Sequence, residues 1–269
     1  MKNKSIKIMS IALIASLSIT LFGCNSASSG NKVNAIKKAG VILVGTSGDY
    51  PPYEFHGEVN GKDEIIGFDI EIAKLIAKDL GVKLVIKDMK FEALLASLNT
   101  GKVDFVMAGM SPTKERAESV DFSKVYYKAF QTVVIRTKDK DIYKSLNDFK
   151  GKNIAVQKGS IQEGIAKEQF PNSKATALPM ISDEVLQLKK DKVDALIVEG
   201  PVAEAYISNN KDLMIANIKL KADESGTAVA VKKGSTALVD QVNKTLDKLI
   251  AEKQIDKLVL EATNKVTSK

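Results

Sequence analysis

Two short phrases constrain the architecture of this chain more than anything else in it. Gly101-Lys102-Val103-Asp104 leads into the near-continuous apolar run 103–108, and Asp191-Lys192-Val193-Asp194 leads into a second, 195–198. An apolar run without alternation suits a strand covered on both faces, and helices on both sides of a mostly parallel sheet provide that cover. The surrounding sequence agrees, because β-branched stretches alternate with helical periodicity. A strand at 41–45 is followed by a helix with Phe68, Ile72, Leu75, Ile76 and Leu80 on one face. Asp69 and Glu71 sit near the start of that helix and Gly81 is placed to end it. A strand at 82–86, a helix carrying Leu94, Leu95 and Leu98 inward, and a stop at Gly101 complete a first unit. From Ser145 the scheme repeats, with strands at 153–156 and 175–178, a turn at Gly159, and helices from about Ile161 and from Asp183. Strand-like stretches at 132–136 and 226–231 flank this unit, and helical periodicity resumes at Leu238, Val242, Leu246, Leu249 and Ile250. The pattern predicts an α/β fold of two similar lobes, 37–134 with 226–265 and 137–223. The two strands that cross between them would form a hinge.

The N-terminus reads differently. Lys2, Lys4 and Lys7 precede an apolar run from Ile8 to Phe22, too short to span a bilayer comfortably, and Leu21-Phe22-Gly23-Cys24 follows. This is an export signal over residues 1–23, and its end resembles the bacterial lipobox. The resemblance implies that Cys24 becomes the N-terminus and carries a thioether-linked diacylglycerol, as in palmitate-bearing lipoproteins. Two acyl chains give durable attachment where one holds only marginally. Residues 24–36 read as a flexible tether to the membrane. The expected location is therefore the extracytoplasmic face of the cell membrane.

Composition removes several function classes. The net charge of +7 includes three leader lysines, and the lysines are dispersed with no Trp among them, so no nucleic-acid partner follows. With one cysteine there is no internal disulfide. His56 is the only histidine, which leaves no material for a His/Cys zinc site or a histidine-activated serine. It is expected in a loop. No glycine loop has nucleotide-binding spacing, so neither a metal nor a cofactor is expected.

In an open parallel sheet, ligands sit beyond the carboxyl ends of the strands. The residues there are Ser47 and Tyr50, 108–113, 157–162, and Glu199. Arg116, one turn past the Gly109 loop, could grip a carboxylate in bidentate fashion, with backbone donors near Ser111, Ser160 and Ile161. Glu199 could accept from an ammonium group. Spacing alone does not separate this from two ordinary surface charges.

Tyr50-Pro51-Pro52-Tyr53-Glu54-Phe55, Gly67-Phe68-Asp69-Ile70-Glu71, the stretch Ala108-Gly109-Met110-Ser111-Pro112-Thr113-Lys114-Glu115-Arg116, and Val120-Asp121-Phe122-Ser123 with Tyr126-Tyr127 closely resemble the polar amino-acid solute-binding proteins of ABC importers. The resemblance covers about 41–262 and implies a type II periplasmic-binding-protein fold, two lobes closing on one ligand. It further implies that Arg116 holds an α-carboxylate with amide help from Ser111 and Ser160, and that Glu199 holds the α-amino group. Tyr50 and Phe91 would flank the side chain, with Ser47, Ala108, Gly109, Gln157 and Ile161 nearby. Several relatives that bind basic amino acids carry an acid where this chain has Ser47, and Glu54 is close enough in sequence to supply a carboxylate instead. Arginine, lysine, histidine and glutamine all stay open. The expected partners are the free amino acid and the permease and ATPase subunits, with the binding protein itself a monomer and not an enzyme. A cyclohexadienyl dehydratase-like enzyme on the same fold and a surface sensor or adhesin are the alternatives.

Overall fold

The computed structural model describes residues 30–221 and 226–267. The expected export signal, Cys24, residues 24–29 of the expected tether and the expected lobe boundary at 223 lie outside the described residues. Part of the expected tether is helical. The chain begins with α1 (Gly30–Ala39), where Val33 and Ile36, three apart, share a face against the core. There follow β1 (Val41–Thr46), β2 (Asp49–Tyr50), β3 (Glu54–Val59), β4 (Lys62–Ile66), α2 (Phe68–Leu80), β5 (Lys83–Asp88), α3 (Leu94–Asn99), β6 (Phe105–Val106), α4 (Lys114–Ser119) and β7 (Val120–Tyr127). The next part holds β8 (Gln131–Arg136), β9 (Asn153–Gln157), α5 (Ile161–Gln169), β10 (Lys174–Leu178), α6 (Ile181–Lys189), β11 (Ala195–Glu199), α7 (Gly200–Ser208) and β12 (Leu213–Ile215). The chain ends in β13 (Thr227–Lys232), α8 (Thr236–Ala251) and α9 (Gln254–Thr267).

Two five-stranded sheets result, ordered β5-β1-β6-β13-β7 and β10-β9-β11-β8-β12, beside a small antiparallel sheet β2-β3-β4. In each large sheet the first strand of the unit runs parallel to two neighbours, and a strand from outside the unit pairs antiparallel to the third. The two lobes therefore share one topology. The chain passes to the second lobe between β7 and β8. The boundary expected after residue 134 falls inside β8, which pairs with β11 and belongs to the second sheet.

The echoed phrases do the same work in both lobes. Gly101 and Asp191 both take positive φ, which ends the preceding helical turn. Val103 and Val193 are buried behind them. The aspartates then tie strands together: Leu43 N donates to Asp104 Oδ2 and Asn153 N to Asp194 Oδ2, each at 2.8 Å. Of the strand expected at 103–108, only Phe105–Val106 is assigned as strand. Its flanks keep the register through Asp104 N to Leu43 O and Met107 N to Gly45 O.

Two further expectations are corrected. His56 lies in β3 and not in a loop, with Nδ1 2.8 Å from Asp63 Oδ2. The helix expected from Asp183 starts at Ile181, because a carboxylate of the other lobe caps it. Asp49 Oδ2 accepts from Ile181 N at 2.5 Å, and Tyr206 Oη donates to Asp49 O at 2.9 Å. On the same rim, Asn209 Nδ2 donates to Val266 O, and Phe55, Ile66, Ala205 and Val266 form a small apolar cluster between the lobes.

Candidate ligand-binding cleft

One cavity between the lobes gathers every expected site residue except Ser47. The first lobe contributes Tyr50, Phe91, Ala108, Gly109, Ser111 and Arg116, and the second contributes Gln157, Ser160, Ile161, Gln162 and Glu199. Its empty space, open solvent included, is about 250 Å³. Among the lining residues the only cation is Arg116 and the only acid is Glu199.

Arg116 reaches the cavity from α4, whose start is fixed by Thr113: its hydroxyl accepts from Arg116 N at 3.2 Å. The guanidinium is oriented by carbonyls of both lobes, with Nη1 donating to Ser111 O and Nη2 to Gly159 O, each at 2.9 Å. It also lies 5.3 Å from the centroid of the Phe91 ring. Phe91 was expected to flank the ligand's side chain, and here its face carries Arg116.

Gly109 is required where it stands. Its φ is +56°, and a β-carbon would lie 2.8 Å from Tyr50 Cε1. Asp69 holds this loop, accepting from Gly109 N at 3.0 Å and from the Tyr126 hydroxyl at 2.6 Å. Burial raises its carboxyl to about 6, against the opposing pull of those hydrogen bonds. Asp69 acts behind the wall of the cavity. The sequence gives one clue to it, an acid in the first turn of a helix that is otherwise buried there.

On the second lobe, Ser160 precedes α5, and its amide donates to Gln157 O at 3.1 Å. The amide is thus committed inside the turn, contrary to its expected role toward a carboxylate. The hydroxyl of Ser160 and the Nε2 of Gln157 are the buried polar atoms left without a hydrogen-bond partner on this wall. Such groups favour a polar ligand, since an unmatched buried donor is costly. Gln162, the last residue of the 157–162 stretch expected beyond the strand ends, lines the cavity and donates to Gln131 Oε1 at 2.8 Å.

Glu199 ends β11 and precedes α7, so its carboxylate sits near a helix N-terminus, which favours negative charge. It is buried, accepts from the Tyr53 hydroxyl of the first lobe, and has Gln131 Nε2 3.5 Å from its other oxygen. The Tyr50 hydroxyl meets the Glu199 backbone. Burial, then the charges of Glu199 and Glu54, push that phenol well above its ordinary range.

Ser47 and Glu54 are placed elsewhere. The Ser47 hydroxyl donates to Asp49 Oδ1 at 3.2 Å and serves the contact with α6 instead of the cavity. Glu54 is completely buried and does not line the cavity. Burial, followed by the nearby charges of Asp69, Asp49 and Glu199, drives its carboxyl well above the usual range. Set behind the cavity wall, it supplies no carboxylate to a ligand. Among the described residues no group of three or more His, Cys, Asp or Glu is arranged to hold a metal ion.

Comparison with known proteins agrees with this architecture. The chain is 40% identical to the arginine-binding extracellular protein ArtP of Bacillus subtilis over 92% of its own length and 94% of that protein's. A Streptococcus pneumoniae amino acid ABC transporter substrate-binding protein, AbpA, solved bound to L-arginine, superposes with a TM-score of 0.85 at 40% identity, covering 88% of this chain and 100% of that one. An ancestral amino-acid-binding protein, AncCDT-1, described as a precursor of cyclohexadienyl dehydratase, superposes with a TM-score of 0.78 at 31% identity, covering 86% and 99%. The model of the bacterial extracellular solute-binding proteins, family 3, matches residues 42–262. With the shared topology of its lobes and this span of similarity, the chain belongs to that family.

Proposed function

We propose that this protein is the substrate-binding component of an ABC importer and captures a polar or cationic L-amino acid, arginine foremost, between its lobes. The observation that carries the reading is the placement of Arg116 and Glu199, one from each lobe, on the same small cavity. A zwitterion offers the matching groups, a carboxylate for the guanidinium and an ammonium for the carboxylate. Ser160 Oγ and Gln157 Nε2 would add donors beside the carboxylate. Arginine is favoured by the named ligands of the two relatives at 40% identity. An acidic amino acid is disfavoured by the absence of a second arginine on the cavity wall to meet its side chain.

Capture would proceed by hinge closure, followed by docking of the monomer on a permease and its ATPase. Lipid attachment at Cys24 would hold the protein at the extracytoplasmic face, and mass spectrometry of membrane-extracted protein with an unmodified Cys24 would refute that part. The enzyme alternative gains nothing from the cavity, where Glu199 is the only carboxyl available as a base.

Calorimetry against the twenty amino acids tests the main reading. L-Arginine should bind, and Arg116→Ala should weaken it several hundredfold, since breaking a buried ion pair costs about 3–5 kcal/mol. Equal affinity in parent and variant would end the assignment.

A further inference from the structure

Tyr53 is absent from the cavity wall, yet it touches the residue on which ammonium recognition depends. It is fully buried in the first lobe, its ring packed at 4.4 Å from Phe68 and 5.7 Å from Tyr127. Its hydroxyl donates to Glu199 Oε2, on the second lobe. A buried phenol needs such a partner, and a buried carboxylate needs donors for each oxygen. The other oxygen is approached by Gln131 Nε2, and Gln131 is itself held by Gln162. The pattern has a functional asymmetry. Gln131 and Gln162 share the lobe of Glu199 and can stay with it in any arrangement of the lobes, whereas Tyr53 meets Glu199 only when the lobes come together.

We propose that Tyr53 is a positioning residue for amino-acid capture: carried by the first lobe, its hydroxyl locks the Glu199 carboxylate as the cleft shuts, so that the ammonium acceptor is finished only in the closed form. The inference rests on the assignment of Glu199 to the ligand's ammonium group. The phenol is suited to remain a donor throughout, because burial and then the charge of Glu199 push its ionisation well above the ordinary range. A phenylalanine here would keep the aromatic packing and remove only the bond between lobes.

A double-mutant cycle with L-arginine as the probe tests this. Tyr53→Phe should weaken binding by about tenfold or more, the scale of one hydrogen bond to a charged group, with the change mainly in the dissociation rate. In a Glu199→Gln background most of that penalty should disappear, because the hydroxyl acts through the carboxylate. Melting curves without ligand show whether each variant is folded at the assay temperature. A penalty of the same size in both backgrounds would indicate a purely structural role and overturn the proposal, as would no penalty in the parent background. If the parent binds L-arginine, and Arg116→Ala loses it while Tyr53→Phe is neutral, the proposal alone falls. If the parent binds no amino acid, the functional reading falls and the proposal with it.

Discussion

Gly159 shows how a residue without a side chain can control closure. It adopts φ +78°, its carbonyl accepts from Arg116 of the opposite lobe, and a β-carbon would meet Glu92 Cβ at 3.2 Å and Cα at 3.3 Å. The backbone strain of an alanine here, about 1–2 kcal/mol, belongs to the second lobe whether the cleft is open or shut. The contact with Glu92 belongs to the closed form alone, since Glu92 sits beside Phe91 on the first lobe. Gly159→Ala should therefore lower the melting temperature modestly and weaken L-arginine binding by about tenfold, the scale of an overpacked contact. Gly164 is the control. It is helical, with open space around its Cα, so Gly164→Ala should raise stability by about 0.5–1 kcal/mol and leave affinity alone. Loss of affinity in both variants, seen by calorimetry, would show that closure across Gly159 is not the controlling contact.

At the scale of elements, the repeated Val-Asp phrase supplies each lobe with the same brace. Asp104 accepts from β1 and Asp194 from β9, the first strand of each repeated unit, and Asp194 also accepts from the Tyr143 hydroxyl at 2.9 Å. Replacing either with alanine strands a backbone donor, which should cost about 1–3 kcal/mol in urea unfolding. The two losses should add, because the braces share no partner. Strong non-additivity would mean that the lobes do not hold these strands independently. This brace was legible in the sequence because its signal is local: a helix stop, a buried valine and an aspartate ahead of an apolar run. The strands, the helix stops and the two charged ends of the cleft were readable for the same reason, with the family resemblance joining Arg116 to Glu199. The cap on α6 was not. Its own N-cap residue is Met180, whose side chain makes no cap hydrogen bond, and the acceptor is Asp49, 132 residues earlier. The role of Tyr53 and the displacement of Ser47 toward Asp49 were hidden likewise, since each depends on packing that no periodicity or spacing encodes.

Across the whole molecule, acids are buried on both sides of the meeting of the lobes with few cations to match them. Burial is the leading cause in each case: it raises Asp49 and Asp69 to about 6 and drives Glu54 and Glu184 well above the usual carboxylate range. The consequence for stability has a definite sign. A carboxyl raised in the folded state binds its proton more tightly there than in the unfolded chain, so the folded protein holds more protons and stability falls as pH rises. For Asp49 and Asp69 the contribution is complete below about 4, where the unfolded chain is also protonated, and is lost as pH climbs through about 6. A shift from 3.8 to about 6 corresponds to at most about 3 kcal/mol for one group. The protein should therefore unfold at higher urea concentration at pH 5 than at pH 7.5, as followed by circular dichroism. Asp69→Asn, which cannot ionise, should reduce that difference, although it also loosens the Gly109 loop and lowers stability at pH 5. Urea midpoints that rise steadily from pH 5 to pH 7.5 would show that burial does not raise these carboxyls within the fold, and this account of the pH dependence would have to be abandoned.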